Sequence, residues 1–199
     1  MLFYLAQVAN GGCNMLADIN NPTVTVKVKD LKKPAGLMRI LKDHGIEDYS
    51  YSVKHYNPVT QIWEIIKIGM SADNATNYGD RIYRQVANLP GWPTIPRSSC
   101  GKDILPAIHD YQVTTGLTVH KDECLVEIWD VSAVPQRGLT AKKAAEDAEN
   151  ELLDQYENIH GKLPIGNPKD TRKITGKPFV TNTLWDDLFG GNKDSKDPE

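Results

Sequence analysis

The stretch Ile65-Ile66-Lys67-Ile68-Gly69-Met70-Ser71 limits the possible folds more than any other part of the chain. It is short, apolar and rich in β-branched residues, and it stops at a glycine, the signature of a strand. A second strand-like run, Tyr49-Ser50-Tyr51-Ser52-Val53-Lys54-His55-Tyr56, precedes it across Asn57-Pro58-Val59-Thr60-Gln61. The pair reads as a hairpin in which residues 62–69 form the inner strand. A turn centred near Val59 sets Tyr51 roughly opposite Lys67, bringing two polar side chains together near one end of the hairpin.

The flanking sequence supplies the rest of an α/β domain. Thr23 to Lys29 alternates as a half-buried strand, and Ala35 to His44 reads as a helix opened by Pro34 and ended by Gly45. Residues 1–12 form a first strand or short helix. Asp80 to Val86 follows the hairpin as a helix with Asp80 near its N-cap, placing Arg81, Arg84 and Gln85 on one face. After the proline-rich loop 89–96 come a helix from Lys102 to Tyr111, a central strand from Asp122 to Ser132, and a long helix from Thr140 to Ile159. Ala141, Ala144, Ala145, Ala148, Leu152, Gln155 and Tyr156 mark the inner stripe of that last helix. The expected architecture is a central mixed sheet of about three strands flanked by helices. Residues 1–47 form a β-α extension, 48–168 the main domain, and 169–199 a flexible acidic tail.

Composition narrows the functional classes. With 199 residues, 40% hydrophobic and 25% charged, the chain has the profile of a soluble globular protein. The net charge of -3 argues against a protein that simply coats nucleic acid, yet the excess acid lies mostly at the end of the chain, where five acids from Asp186 on stand against Lys193 and Lys196. Lys32, Lys33, Arg39 and Lys42 form a basic surface suited to phosphates through counterion release, and Arg84 is a further phosphate-facing candidate. Cys13, Cys100 and Cys124 are neither paired nor spaced for a metal, so free thiols in the cytoplasm are expected. No segment reads as a signal peptide or a membrane span. The histidines show no ligand spacing, which argues against zinc, and phosphate-loop and serine-hydrolase motifs are missing. Leu184 to Phe189 is an acidic-aromatic island suited to a protein partner or to folding back on the domain.

Taken in order, Tyr51, Lys67-Ile68-Gly69, Arg81, and Glu149-Asn150-Glu151-Leu152-Leu153 followed by Pro164 and Asn167 resemble the core of the GIY-YIG nuclease superfamily. The resemblance covers residues 48–168. Tyr49-Ser50-Tyr51 stands where the family has Gly-Ile-Tyr, Lys67-Ile68-Gly69 where it has Tyr-Ile-Gly, and Gln85 where many members have histidine. It implies a DNA endonuclease dependent on Mg²⁺ or Mn²⁺; the cysteine pattern and the lack of a long apolar run add the expectation of a cytoplasmic protein with no membrane partner. Tyr51 would then act on the attacking water, assisted by Lys67, and Arg81 would stabilise charge on the phosphate, with Gln85 nearby. Glu149 would hold the metal, with Glu146 and Glu151 competing for that place. The alternative is a catalytically degenerate member of the same fold that binds nucleic acid or serves assembly.

Overall fold

A computed structural model describes residues 15–72, 81–93, 104–133 and 140–167. The expected first element within residues 1–12, the Asp80 cap, residues 94–103, the tail and the Leu184 to Phe189 island lie outside them, as do Cys13 and Cys100. The described chain runs β1 (Val24–Lys27), α1 (Ala35–Asp43), β2 (Tyr49–Asn57), β3 (Ile62–Ser71), α2 (Arg81–Ala87), α3 (Ile104–Thr115), β4 (Cys124–Asp130) and α4 (Ala141–His160). Single 3-10 turns follow β1 at Val28–Asp30 and precede β4 at Lys121–Glu123, so both strands are shorter than their alternating sequences suggest.

The four strands form one antiparallel sheet in the order β1-β4-β2-β3. This corrects the expectation of a mixed sheet of about three strands. Alternation in residues 23–29 identifies a strand but not its partner, and β1 pairs with β4, about a hundred residues later (Val26 opposite Val126). One sheet face packs against α1, α2 and α3 through Tyr49, Tyr51, Val53, Leu37, Leu41, Ile82, Val86, Ile104 and Ile108. The other packs against α4, where Ala144, Ala145, Ala148 and Leu152 meet Ile65, Ile68 and Trp129. Small alanines let the helix lie close to the strands: the Ser50 hydroxyl donates to the Ala145 carbonyl at 2.9 Å. Thr140 accepts from the Lys143 amide at the start of α4, and Gly161, in the left-handed region at φ 69°, ends it.

The hairpin register also differs from expectation. Asn57 accepts the Val59 and Thr60 amides on its side chain and the Gln61 amide on its carbonyl, which closes a loop of residues 58–61 and moves the turn centre past Val59. A bulge between Val53 and Lys54 then adds one residue on the β3 side. Tyr51 therefore pairs with Gly69, and Lys67 pairs with Val53. Tyr51 and Lys67 are diagonal neighbours, not opposite ones.

Nor is β3 an inner strand; it is an edge. Its buried composition has a different cause, because the turn after α4 covers its outer side. Asn167 accepts the Ile68 amide on Oδ1 at 2.9 Å and donates from Nδ2 to the Ile68 carbonyl at 3.0 Å. The Gly166 amide donates to the Ile66 carbonyl at 2.8 Å. The edge groups that would otherwise template aggregation or cost desolvation energy are thus satisfied.

Gly69 explains the halt in the apolar run. A Cβ at this position would lie 2.6 Å from the Tyr51 Cζ and hydroxyl, so the Tyr51 ring crosses β3 only because residue 69 has no side chain. Gly69→Ala is expected to destabilise the fold by about 1–3 kcal/mol, the usual range for overpacking. Tyr51→Val should relieve most of that cost in the double variant. Chemical denaturation of the four proteins of the cycle measures both, and additive losses would contradict the contact.

Candidate active site at the β3 edge

Three elements deliver the charged residues of the site. Lys67 stands in the middle of β3, where its ammonium donates to the Gly166 carbonyl at 2.9 Å. Arg81 is the first described residue of α2, on the sheet face packed by α1 to α3, and is exposed. Glu149 is half-buried in the middle of α4, on the opposite face. The two helices lie on different sides of the sheet, and the positive charges of Arg81 and Lys67 both favour the ionised form of the Glu149 carboxyl.

Burial decides the balance at Glu149. Removal from water pushes its carboxyl above the ordinary carboxylate range, and Glu146 adds to the rise, while Arg81 and Lys67 oppose it. The fold thus keeps a carboxyl where ionisation is disfavoured, with two cations that partly offset the cost. Glu151, two residues on, is also raised by burial but has a different task. Its Oε2 accepts the Leu16 amide at 2.6 Å and the Ala17 amide at 3.0 Å. With Gln155, which accepts from Ile19 and donates to the Ala17 carbonyl, it straps residues 16–19 onto α4. Glu151 is therefore an anchor, whereas the charges bearing on Glu149 are those of Arg81 and Lys67.

Tyr51 is wholly buried, with its ring 6.4 Å from that of Tyr49 and its hydroxyl over Gly69. Gln85 does not share a solvent face with Arg81. It is 1% exposed, because one turn of α2 carries the chain from the rim into the core beside Ile82 and Val86. Its Oε1 is buried with no hydrogen-bond partner among the described residues. Arg84 is half-buried. Lys32, Lys33, Arg39 and Lys42 are exposed beside or on α1, and Arg39 is drawn to Asp43 at 3.7 Å. That ion pair is largely solvated and contributes little.

No family model matches the chain, and no curated protein or solved structure does so.

A hard divalent cation takes oxygen donors, and Glu149 offers one half-buried carboxylate with Glu146 one turn earlier. Among the described residues no three His, Cys, Asp or Glu side chains gather as a ready ligand set. An ion held by Glu149 would draw the rest of its shell from phosphate and water, the ordinary habit of Mg²⁺.

Two arrangements escaped sequence reasoning. Asn167 was legible as a turn residue, but its capping of β3 depends on a partner 99 positions away. The second is a polar cluster at the far end of the hairpin. There the Tyr111 hydroxyl donates to Glu64 at 2.6 Å, and His55 lies between Tyr111 Oη at 3.3 Å and Glu123 Oε2 at 3.4 Å. Burial, then the Glu64 hydrogen bond, hold the Tyr111 phenol well above its usual range. Nearby, Cys124 is a free buried thiol pushed up to about 12 by burial.

The Glu149 shift has a consequence for stability. A carboxyl whose folded pKa exceeds its unfolded value, near about 4.3 for glutamate, stabilises the fold only in acid and loses that contribution as pH rises through the folded value. Glu149→Gln should therefore raise the melting temperature at pH 7 relative to the unmodified protein, with the difference vanishing below about pH 4. Calorimetric scans across pH measure this; a variant less stable than the parent at pH 7 would contradict it.

Proposed function

We propose that the chain is a metal-dependent DNA endonuclease of the GIY-YIG type, hydrolysing phosphodiester bonds where Lys67, Arg81 and Glu149 meet. What supports the reading is that the charges of Arg81 and Lys67, on two other elements far apart in sequence, both bear on the partly buried Glu149 carboxyl. A stability-driven fold has little reason to bury a carboxylate at net cost, whereas perturbed charges gathered from several elements are common at functional sites.

The chemistry follows from the side chains. Arg81 stays protonated at any relevant pH and offers planar donors, which suits the charge that builds on phosphate oxygens as the bond is attacked. Glu149 would hold Mg²⁺ or Mn²⁺; the bound ion neutralises phosphate charge and lowers the pKa of a water. Lys67, steadied by the Gly166 carbonyl, adds positive charge beside the same phosphate. Tyr51, wholly buried, serves better to hold this edge in shape than to exchange protons with bulk water. Lys32, Lys33, Arg39 and Lys42 would meet DNA phosphates further from the reacting bond.

A second reading, a degenerate member that binds nucleic acid without cutting it, is favoured by one observation. Gln85, at the position where the resemblance expects histidine, is buried, and an amide does not exchange protons near neutral pH.

Plasmid nicking with Mg²⁺ or Mn²⁺ separates the two. On the endonuclease reading, the unmodified protein nicks, while Glu149→Gln and Arg81→Ala lose at least about a hundredfold in rate. DNA binding survives Glu149→Gln, because that change removes a charge that repels phosphate. Glu151→Gln should loosen the 16–19 strap and cost stability but leave cleavage in place. Binding without nicking by the unmodified protein would select the degenerate module, and full nicking by Glu149→Gln would show that another group holds the metal.

A further inference from the structure

Beyond the candidate site, the turn end of the hairpin carries an aromatic pair. Tyr56 and Trp63 are directly opposed across β2 and β3, their rings 5.3 Å apart and tilted by 57°. Trp63 is 37% exposed, in a protein whose other described tryptophans, Trp92 and Trp129, are buried. The two rings line a groove of about 210 Å³ together with Lys27 and Lys29, on β1 and the turn that follows it, and Asp122 and Glu123, just before β4.

Charge accounting gives the groove a sign. Asp122 is engaged by the Lys121 ammonium at 2.6 Å and by the His120 ring at 3.4 Å, and Glu123 by buried His55 at 3.4 Å. Among the described residues, neither Lys27 nor Lys29 makes an ion pair within 4.0 Å. Lys29 feels Asp122, but only as the smallest of the influences on that carboxyl. The groove therefore pairs an exposed aromatic surface with two ammonium groups outside any ion pair among the described residues, against one acid, Asp122, held by Lys121 and a second, Glu123, within hydrogen-bond reach of His55. Its volume is below the roughly 300–1,000 Å³ of sites that enclose drug-sized ligands, so it suits one planar ring with the rest of the molecule outside.

We propose that this groove is a stacking platform for single-stranded nucleic acid, in which one base lies against Trp63 and Tyr56 and the adjoining phosphates meet Lys27 and Lys29. Stacking of bases on aromatic side chains beside a basic track is the general means by which single strands are held without sequence preference. A duplex keeps its base faces covered and has no ring to offer. Trp63 precedes Lys67 by four residues on β3, about 13 Å at the usual rise. A strand on the platform would thus extend within a few nucleotides of the proposed cleavage site. The inference rests on the nucleic-acid reading above and refines it: the substrate would be DNA with an unpaired stretch beside the scissile bond.

The test uses fluorescence anisotropy in EDTA, which prevents cleavage, with labelled oligo-dT and a labelled blunt-ended duplex of equal length, without unpaired bases, as probes. Trp63→Ala should weaken oligo-dT binding about tenfold, with Trp63→Phe restoring most of the loss and duplex affinity unchanged in both. Replacing Lys27 and Lys29 with Gln should flatten the dependence of log K on log salt for oligo-dT by about 0.7 per lost contact. The platform is overturned if oligo-dT binding is the same in every variant, if the protein binds only the duplex, or if Trp63→Ala weakens both probes equally. Binding of neither probe by the unmodified protein would instead overturn the nucleic-acid reading itself, and the platform with it.

Discussion

The fold depends on how the outer edge of β3 is closed. An edge strand of this composition, with buried Ile65, Ile66 and Ile68, would be an aggregation template if its amides and carbonyls stood open. Asn167 closes it by presenting one acceptor and one donor to the two polar groups of Ile68, as a neighbouring strand would. Gly166 completes the closure, and the approach is tight: a Cβ there would lie 2.7 Å from the Ile66 carbonyl and 2.9 Å from the Ala107 Cβ. The closure anchors the chain beyond α4 to the middle of β3. It also fixes the Lys67 ammonium, which donates to the Gly166 carbonyl.

Closing the edge in this way makes a site possible beside it. With the backbone satisfied by a short turn instead of a fifth strand, side chains from α2 and α4 can both reach the rim of the sheet. Arg81 comes from one face, Glu149 from the other, and Lys67 from the strand between them. The site carries a cost, since burial outweighs two cations and leaves the Glu149 carboxyl harder to ionise than a free one. Such a cost has a ready explanation if the carboxylate is kept for a cation that arrives with substrate, because stability and function often compete at such positions.

The elements were legible because their signals are local. Apolar periodicity marks α4, alternation marks β1, and the Asn57-Pro58 turn marks the hairpin, each within a window of a few residues. The arrangement of those elements was less legible. The Tyr51 register moved by two positions, one from the true turn centre and one from a bulge, and sequence pattern reports neither. β3 resembled an inner strand because Asn167 and Gly166 give its edge an interior environment. Gln85 looked like a partner of Arg81 on one helical face, whereas the helix turns it into the core. The charged residues of the site were readable as an ordered set. Their meeting across the sheet depends on contacts between α2, β3 and α4 that no local pattern encodes.

The central claim is that Arg81, Lys67 and Glu149 share one electrostatic environment, and the Glu149 carboxyl reports on it directly. Carbon-detected NMR titration of that carboxyl in the unmodified protein, in Arg81→Ala and in Lys67→Met measures the coupling without reference to activity. The account predicts a pKa above the ordinary glutamate range in the unmodified protein and a further rise in each variant, because each removes a cation that favours the ionised form. An ordinary pKa that neither substitution moves would contradict it.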